Sequence, residues 1–171
     1  MRGSTSGIEV TRPTVDEVFS RSYVPLCRLA LVILGDERDA EEVVMEAFER
    51  TMARWETIDA DEPEAYVRRS VVNLCRNRIR RRGLWRRTAP RLAGVSPEAR
   101  PEDDVDRAGS VWAAVGGLPA GQRLCVALFY LDDRPQDEIA QILGCTVGTV
   151  KSQLSKARTA LAAALDEEAL S

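Results

Sequence analysis

The chain has 171 residues, of which 44% are hydrophobic and 30% charged, and its formal net charge is −3. This balance is typical of a globular protein, and no apolar run approaches the ~18 residues of a membrane-spanning helix, so we expect no membrane insertion. It contains no histidine and four scattered cysteines without a CxxC pair, which disfavours an enzyme, a metal site, any other cofactor and a disulfide framework.

The N-terminal residues give no sign of export. The stretch MRGSTSGIEV lacks the apolar core of a secretory signal. We therefore expect a cytoplasmic protein whose cysteines stay reduced and act as small buried hydrophobic side chains. Residues 1–12 are expected to form a flexible tail.

Charge is strongly segregated along the sequence. Residues 36–64 hold twelve acidic residues and three arginines, whereas residues 65–97 hold ten arginines and no acid. A compositional bias towards arginine, which supplies 22 of the 24 basic residues, explains the choice of arginine over lysine but not this clustering. The segregation predicts different partners for different segments, with a polyanion for the basic ones.

The first half of the chain, residues 13–84, predicts three helices. The first is expected over residues 14–34 and ends at Gly35, and the second begins near Asp36. Apolar residues recur at helical spacing along the second helix and predict one buried stripe. Its members are Ala40, Val43, Val44, Ala47, Phe48, Thr51, Met52 and Trp55.

The third predicted helix begins after Pro63 and ends near Arg82. Its inward side is expected to carry Val67, Val71, Cys75 and Ile79. A second face aligns polar side chains at i, i+4, i+7 and i+11, and these are Arg69, Asn73, Arg76 and Arg80.

Periodicity disappears after the third helix. Residues 85–106, which are rich in proline, are expected to form a flexible linker to a second domain at residues 107–167. That domain predicts four helices, over residues 107–115, 119–131, 136–143 and 146–165. The predicted fold is therefore all-α, with two small helical domains joined by a flexible linker and a helix-turn-helix in the C-terminal one.

The last helix exposes unusually small side chains. Thr146 is expected to cap it, and the stripe from Val147 to Leu161 faces inward. Its outer side carries Gly148, Thr149, Ser152, Ser155, Lys156 and Thr159. Such a face lets the helix backbone enter a DNA groove and contact phosphates, although an ordinary bundle helix could also carry small polar residues by chance.

Three motifs together resemble the sigma factors of the sigma-70 family, and most closely the extracytoplasmic-function (ECF) group. DAEEVVMEAFERTMARW, at residues 39–55, is similar to the family's helix that binds core polymerase. YVRRSVVNLCRNRIRRR, at residues 66–82, is similar to its segment that melts and reads the −10 element. Residues 118–161, from LPAGQR to KARTAL, resemble the −35-binding domain nearly throughout.

This resemblance implies a bacterial transcription initiation factor that recognises −35 and −10 elements and helps to melt promoter DNA. Its implied partners are core RNA polymerase, through the largest-subunit clamp helices and the flap region, promoter DNA and an anti-sigma factor, with a monomer when free. The core-binding residues would be Asp39, Glu42, Val43, Glu46 and Phe48. The −10 residues would be Tyr66, Arg69, Asn73, Arg76 and Arg80. The −35 residues would be Thr146, Gly148, Thr149, Lys151, Ser152, Gln153, Ser155 and Lys156.

Three positions depart from the family pattern. Met45 stands where the family often has glutamine, and Pro135 replaces a serine that commonly caps the first helix of the helix-turn-helix. Gln153 replaces a common arginine, which should weaken phosphate attraction and shift the −35 preference towards adenine edges.

The alternative function is a one-component regulator that binds an operator as a dimer through its helix-turn-helix. It predicts a dimerisation surface and a ligand pocket in the N-terminal half.

Overall fold

A computed structural model describes residues 12–59, 62–88 and 107–169, and these residues form helices and connecting turns without a strand. No helix among them is long and apolar enough to cross a membrane. The all-helical prediction is confirmed. The helices are Val15–Leu34 (α1), Glu37–Met52 (α2), Pro63–Thr88 (α3), Arg107–Gly117 (α4), Ala120–Val126 (α5), Gln136–Leu143 (α6) and Val147–Ala169 (α7).

Local caps set the ends of the first two helices. The Glu17 N–H donates to the Thr14 hydroxyl, and the Glu17 carboxylate accepts from the Thr14 N–H at 2.8 Å, which forms a capping box at the start of α1. Gly35 ends α1 with a φ of +72°, a left-handed conformation that glycine adopts without strain. The carboxylate of Asp36 then caps α2 by accepting from the Asp39 N–H.

α1, α2 and α3 pack as a three-helix unit around the predicted stripe of α2. Six of the eight stripe positions, from Ala40 to Thr51, are buried. The other two lie at the end of the stripe. Met52 has 59% of its surface exposed, because α2 ends there and the chain turns away. Trp55 is half-buried in a short 3₁₀ turn, Trp55–Thr57.

The predicted end of α3 near Arg82 is wrong, because the helix continues to Thr88. Gly83 is tolerated inside the helix, and no proline follows until Pro90. Residues 85–88 of the predicted linker therefore belong to α3. Its remainder, residues 89–106, lies outside the described residues, as does the predicted tail except for Arg12.

The single helix predicted over residues 119–131 is instead two segments. α5 is followed by a π-helical turn, Ala127–Leu131, whose widened hydrogen bonding includes Asp132 N–H donating to the Ala127 carbonyl at 3.2 Å. Asp133 then adopts a φ of +50°, and Pro135 precedes α6. The irregular turn directs Asp132 towards α3.

The two helical units contact each other directly. α1 touches α4, α5 and the π turn, and α3 touches α5 and α6. Buried residues of both units form one continuous hydrophobic cluster. We call this contact surface, between α1 and α3 on one side and α4, α5, the π turn and α6 on the other, the seam.

Candidate nucleic-acid interface

The second helix of the helix-turn-helix, α7, has the cap that its sequence predicts. The Thr149 N–H donates to the Thr146 hydroxyl at 3.1 Å, and the two threonine hydroxyls lie 2.9 Å apart. Val150, Leu154 and Ala157 are buried against the rest of the second unit. Gly144, with a φ of +64°, supplies the turn between α6 and α7. This packing fixes which side of α7 faces solvent.

The outward side of α7 carries the predicted −35 residues, and all but one are exposed. Gln153 is half-buried because its side chain lies against Gly121 of α5, 3.6 Å from where a Cβ atom would stand. Its side chain is thus shared between helix packing and solvent, which the sequence did not indicate. The exposed residues are Thr146, Gly148, Thr149, Lys151, Ser152, Ser155 and Lys156.

The polar face of α3 also reaches the surface. Arg69, Asn73, Arg76 and Arg80 are exposed, and Tyr66, at the N-terminal end of the helix, is half-buried. The structure thus brings the predicted −10 residues together along one helix.

Residues of the second unit stand opposite part of this α3 face. Asn73, Arg76 and Arg80 line a cleft of about 670 Å³ whose other wall includes Gly121 and Leu124 of α5. The Arg76 guanidinium crosses to donate to the Leu143 carbonyl at 3.0 Å. The arginine face therefore meets the helix-turn-helix unit in this structure.

A different pair of α3 arginines forms ion pairs with carboxylates of α2. Arg78 lies 2.9 Å from the Glu42 carboxylate and 3.5 Å from Asp39, and Arg82 also contacts Asp39. Arg78 and Arg82 stand four residues apart and so share a face of α3, and the fold places that face against α2.

The predicted core-polymerase residues on α2 divide into two groups. Asp39, Glu42 and Glu46 reach the surface to different extents and are paired with arginines, Glu46 with Arg50 at 2.5 Å. Val43 and Phe48 are buried, with 1% and 3% of their surfaces exposed, so in this structure they present no side-chain surface to a partner. Their apolar side chains face α1 and α3, because they belong to the stripe that forms the core.

Met45 and Pro135 can now be placed. Met45 is exposed on α2, with 43% of its surface accessible, so it offers an apolar contact beside the acids. Pro135 precedes α6 without a side-chain hydrogen bond, which confirms the expected loss of a hydroxyl cap.

Polar groups that sequence reasoning missed lie at the seam. The Asp132 carboxylate is 2.7 Å from Arg68 Nε and 3.3 Å from Arg134 Nε, and the Arg68 and Asp132 side chains are 15% and 13% exposed. Burial raises the pKa of Asp132, although both arginines oppose this effect. From the other side, Arg123 of α5 donates to the Ile33 carbonyl at 3.0 Å.

The cysteines form no site. All four thiols are free, and no group of histidine, cysteine or carboxylate side chains among the described residues could hold a metal ion. Burial raises the pKa of Cys75 to about 12 and is the main cause that raises the pKa of Cys125 to about 11. These two side chains therefore pack as apolar groups.

Two known protein-family models match the two helical units, in the same order along the chain. Residues 18–84 match the family "Sigma-70 region 2", and residues 108–161 match "Sigma-70, region 4". The chain is 34% identical over 140 residues to the RNA polymerase sigma-E factor of Streptomyces coelicolor, covering 77% of this chain and 75% of that one. It is 28% identical over 162 residues to the ECF RNA polymerase sigma factor SigE of Mycolicibacterium smegmatis, covering 91% of this chain but only 63% of that one.

A solved structure has the same fold. The sigma factor RpoE, determined in complex with the anti-sigma factor NepR from Bartonella quintana, superposes with a TM-score of 0.71 at 21% sequence identity. The superposition covers 88% of this chain and 96% of that one. The likeness therefore extends over both helical units.

Proposed function

Because this chain belongs to the ECF group of sigma-70-family sigma factors, we propose that it binds core RNA polymerase and directs transcription initiation at specific promoters. The observation that carries this proposal is the presence of two distinct polar surfaces on one chain. One is the small-residue face of α7, and the other is the arginine and asparagine face of α3.

α7 is suited to enter the major groove of the −35 element. Gly148, Ser152 and Ser155 are small enough for the helix backbone to approach the DNA, and the N-terminus of α7 favours a phosphate. Lys151 and Lys156 make no ion pair within the described part of the chain, so both charges are available to phosphates. Gln153 is half-buried against Gly121, so it offers less of its side chain to the DNA than a fully exposed residue would.

α3 is suited to hold the opened −10 strand. Arg69, Arg76 and Arg80 supply a positive track along one helix face, and Asn73 adds an amide that can pair with a base edge. Tyr66 is half-buried at the N-terminal end of this track, where its ring can stack on an unpaired base. Melting then needs no catalytic group, because unstacked bases gain contacts that the duplex does not offer.

α2 is the proposed contact with the polymerase clamp helices, through its carboxylates and the exposed Met45. Asp39 is held by arginines of α3 and is largely covered, so Glu42 and Glu46 present more of their charge to a partner. Val43 and Phe48 act indirectly by fixing the helix on the core.

The remaining elements of the proposal follow from the family. We assign residues 13–84 to promoter melting and core binding, residues 107–167 to −35 and flap contacts, and residues 85–106, of which 85–88 continue α3, to the linker. We place the protein in the cytoplasm, without a catalytic role or cofactor and as a monomer when free. The RpoE complex with NepR supports an anti-sigma factor as a further partner.

Run-off transcription tests the function directly. Purified core polymerase is assayed with and without the chain on a library of genomic promoter fragments, and co-purification with core is measured in parallel. We expect core binding and transcripts with a defined start. A chain that binds duplex operator DNA as a dimer and leaves polymerase unaffected would instead support the one-component regulator.

A matched pair of variants links the activity to the surface. Arg80→Ala removes a charge from the exposed α3 face, whereas Arg54→Ala removes one from an exposed position in the turn after α2. We expect the first variant to lose run-off product while it still binds core. The second should keep both properties.

A further inference from the structure

A groove of about 250 Å³ on the seam has walls from both helical units and is lined mainly by apolar side chains. α1 contributes Leu31 and Val32, α4 contributes Trp112, and the π turn contributes Leu131. All four side chains are half-buried, so each keeps some apolar surface that the protein does not cover. Because removing such surface from water is favourable, the groove is suited to an apolar occupant.

Two glycines keep this groove open. Gly35 and Gly116 both line it, and a Cβ atom placed at either position would have no packing neighbour within 4 Å. Gly35 is explained by its left-handed φ of +72° at the end of α1. Gly116 has no such backbone requirement and lies within α4, where glycine is disfavoured relative to alanine. Its lack of a side chain leaves room in the groove.

One cation lines the groove without a partner. Arg28 of α1 is exposed and makes no hydrogen bond or ion pair with any residue that the structure describes. Among the described residues that line the groove there is no carboxylate. Asp132, which follows Leu131, is already paired with Arg68 and Arg134. The groove therefore combines apolar walls with a single available positive charge.

An occupant that matches both features has an apolar body and one anionic headgroup. A carboxylate can accept two parallel N–H bonds from the Arg28 guanidinium, while a hydrocarbon chain covers the apolar walls. The groove is smaller than the ~300–1,000 Å³ of pockets that enclose drug-sized ligands, so a short chain fits it better than a long one. A nucleic acid is a poor match, because its phosphates would meet four apolar side chains beside one cation.

We propose that this groove binds a medium-chain fatty acid, with its chain against Leu31, Trp112 and Leu131 and its carboxylate on Arg28. None of the lining residues belongs to the proposed DNA-binding faces of α3 and α7, so the inference is independent of the promoter function. Since the walls come from both helical units, a bound chain contacts both and raises the thermal stability of the folded protein by mass action.

Titration calorimetry on the full-length protein tests the proposal, with decanoate as the main probe. Octanoate and dodecanoate vary the chain length, and decan-1-ol has the chain without the charge. For wild type we expect decanoate to bind roughly fourfold tighter for each methylene that it has beyond octanoate. The gain should stop once the chain is longer than the groove.

A matched pair of glycine substitutions locates the site. Gly116→Leu fills the groove, whereas Gly117→Leu makes the same change at the next position, which does not line it. A Cβ atom has no packing neighbour within 4 Å at either position, so both variants should fold, as circular dichroism checks. We expect decanoate to bind Gly116→Leu at least tenfold more weakly than wild type and to bind Gly117→Leu with wild-type affinity.

A matched pair of arginine substitutions tests the headgroup contact. Arg28→Gln removes the charge that lines the groove, whereas Arg54→Gln removes an exposed charge from the turn after α2. We expect roughly fivefold weaker binding of decanoate to Arg28→Gln and no change for Arg54→Gln. Decan-1-ol should bind wild type and both variants alike, because it has no negative charge. This pair tests the site even if Gly116→Leu does not fold, since Arg28 is exposed.

Three outcomes would overturn the proposal. If decanoate does not bind wild type, the groove is not a fatty-acid site. Binding that persists in a folded Gly116→Leu would place the fatty acid elsewhere on the protein. Equal affinities of Arg28→Gln and Arg54→Gln for decanoate would show that Arg28 does not hold a carboxylate. None of these results bears on core binding or run-off transcription, which test the promoter function separately.

Discussion

Lys156 is exposed on the outward side of α7, almost three helical turns after the Thr146 cap. A lysine in this position acts as a point charge on a DNA phosphate and releases a counterion when it binds. Lys156→Ala should therefore weaken duplex binding and reduce the slope of log K against log salt by about one unit. Fluorescence anisotropy with a −35 duplex over a salt series measures both.

Arg54→Ala is the matched control for Lys156→Ala, because it removes one exposed positive charge from the other helical unit. Its salt slope should equal that of wild type. The same slope for both variants would mean that Lys156 does not contact a phosphate.

The cysteines provide a residue-level test of the core. Cys75 and Cys125 are buried, with pKa values raised to about 12 and about 11, whereas Cys27 and Cys145 are half-buried. Since the thiolate is the reactive form, iodoacetamide near pH 8 should modify Cys27 and Cys145 first and reach the other two only after unfolding in urea. Peptide mass spectrometry follows each site. Early modification of Cys75 would contradict the packing of α3 against α1 and α2.

At the scale of the helix, sequence patterns predicted whatever depends on local chemistry. The α2 stripe and the Thr146 cap were predictable because helical periodicity and capping act within a few residues. The extension of α3 to Thr88 was not predicted because helical periodicity disappears after Arg82, although a glycine such as Gly83 costs a helix only about 1 kcal/mol. The π turn, which packs against α1, had no signal of its own in the sequence.

The candidate site was predictable to a similar extent. The exposure of the polar side chains on α7 and α3 was predictable from helical periodicity together with the family resemblance. The partial burial of Gln153 against Gly121 did not, because it depends on the angle between α5 and α7. The sequence places Val43 and Phe48 both in the buried stripe and in the polymerase contact, because an apolar residue on an amphipathic helix fits a core and an interface equally well.

The capping box of α1 gives an element-level prediction. Thr14→Ala removes the hydroxyl that accepts from the Glu17 N–H, and it should reduce the free energy of unfolding by about 1 kcal/mol. Urea denaturation followed by circular dichroism measures this change. Thr14→Ser keeps the acceptor and should remain within a few tenths of a kcal/mol of wild type. An equal loss for both substitutions would point to packing of the threonine methyl instead.

Over the whole molecule, the arginines have three separate uses that composition alone cannot distinguish. Arg78 and Arg82 hold α2 on α3, Arg68 and Arg123 connect the two helical units across the seam, and Arg69 and Arg80 are exposed and are proposed to bind nucleic acid. Arg76 takes part in both of the last two groups, since it donates to the Leu143 carbonyl from within the proposed DNA-binding face of α3. The Leu143 contact and the proposed binding of a strand therefore involve the same side chain.

The raised pKa of Asp132 yields a pH dependence with a defined sign. Burial is the largest cause of the shift, opposed by Arg68 and Arg134 and reinforced by Glu138. Because the folded protein binds this proton more tightly than the unfolded chain, the contribution to stability is fully present below the ordinary pKa of aspartate. It is lost as pH rises through the raised value.

The difference in unfolding free energy between wild type and Asp132→Asn isolates this contribution. The substituted amide cannot titrate, so wild type should gain stability relative to Asp132→Asn as pH is lowered from about 7 towards about 4. The titration of carboxylates that both proteins contain cancels in this difference in unfolding free energy. Paired urea titrations across this range measure the difference, with Asp133→Asn as the control that removes a neighbouring exposed carboxylate.

If wild type instead lost stability relative to Asp132→Asn on acidification, the attraction of the Asp132 carboxylate to Arg68 and Arg134 would outweigh the cost of its burial.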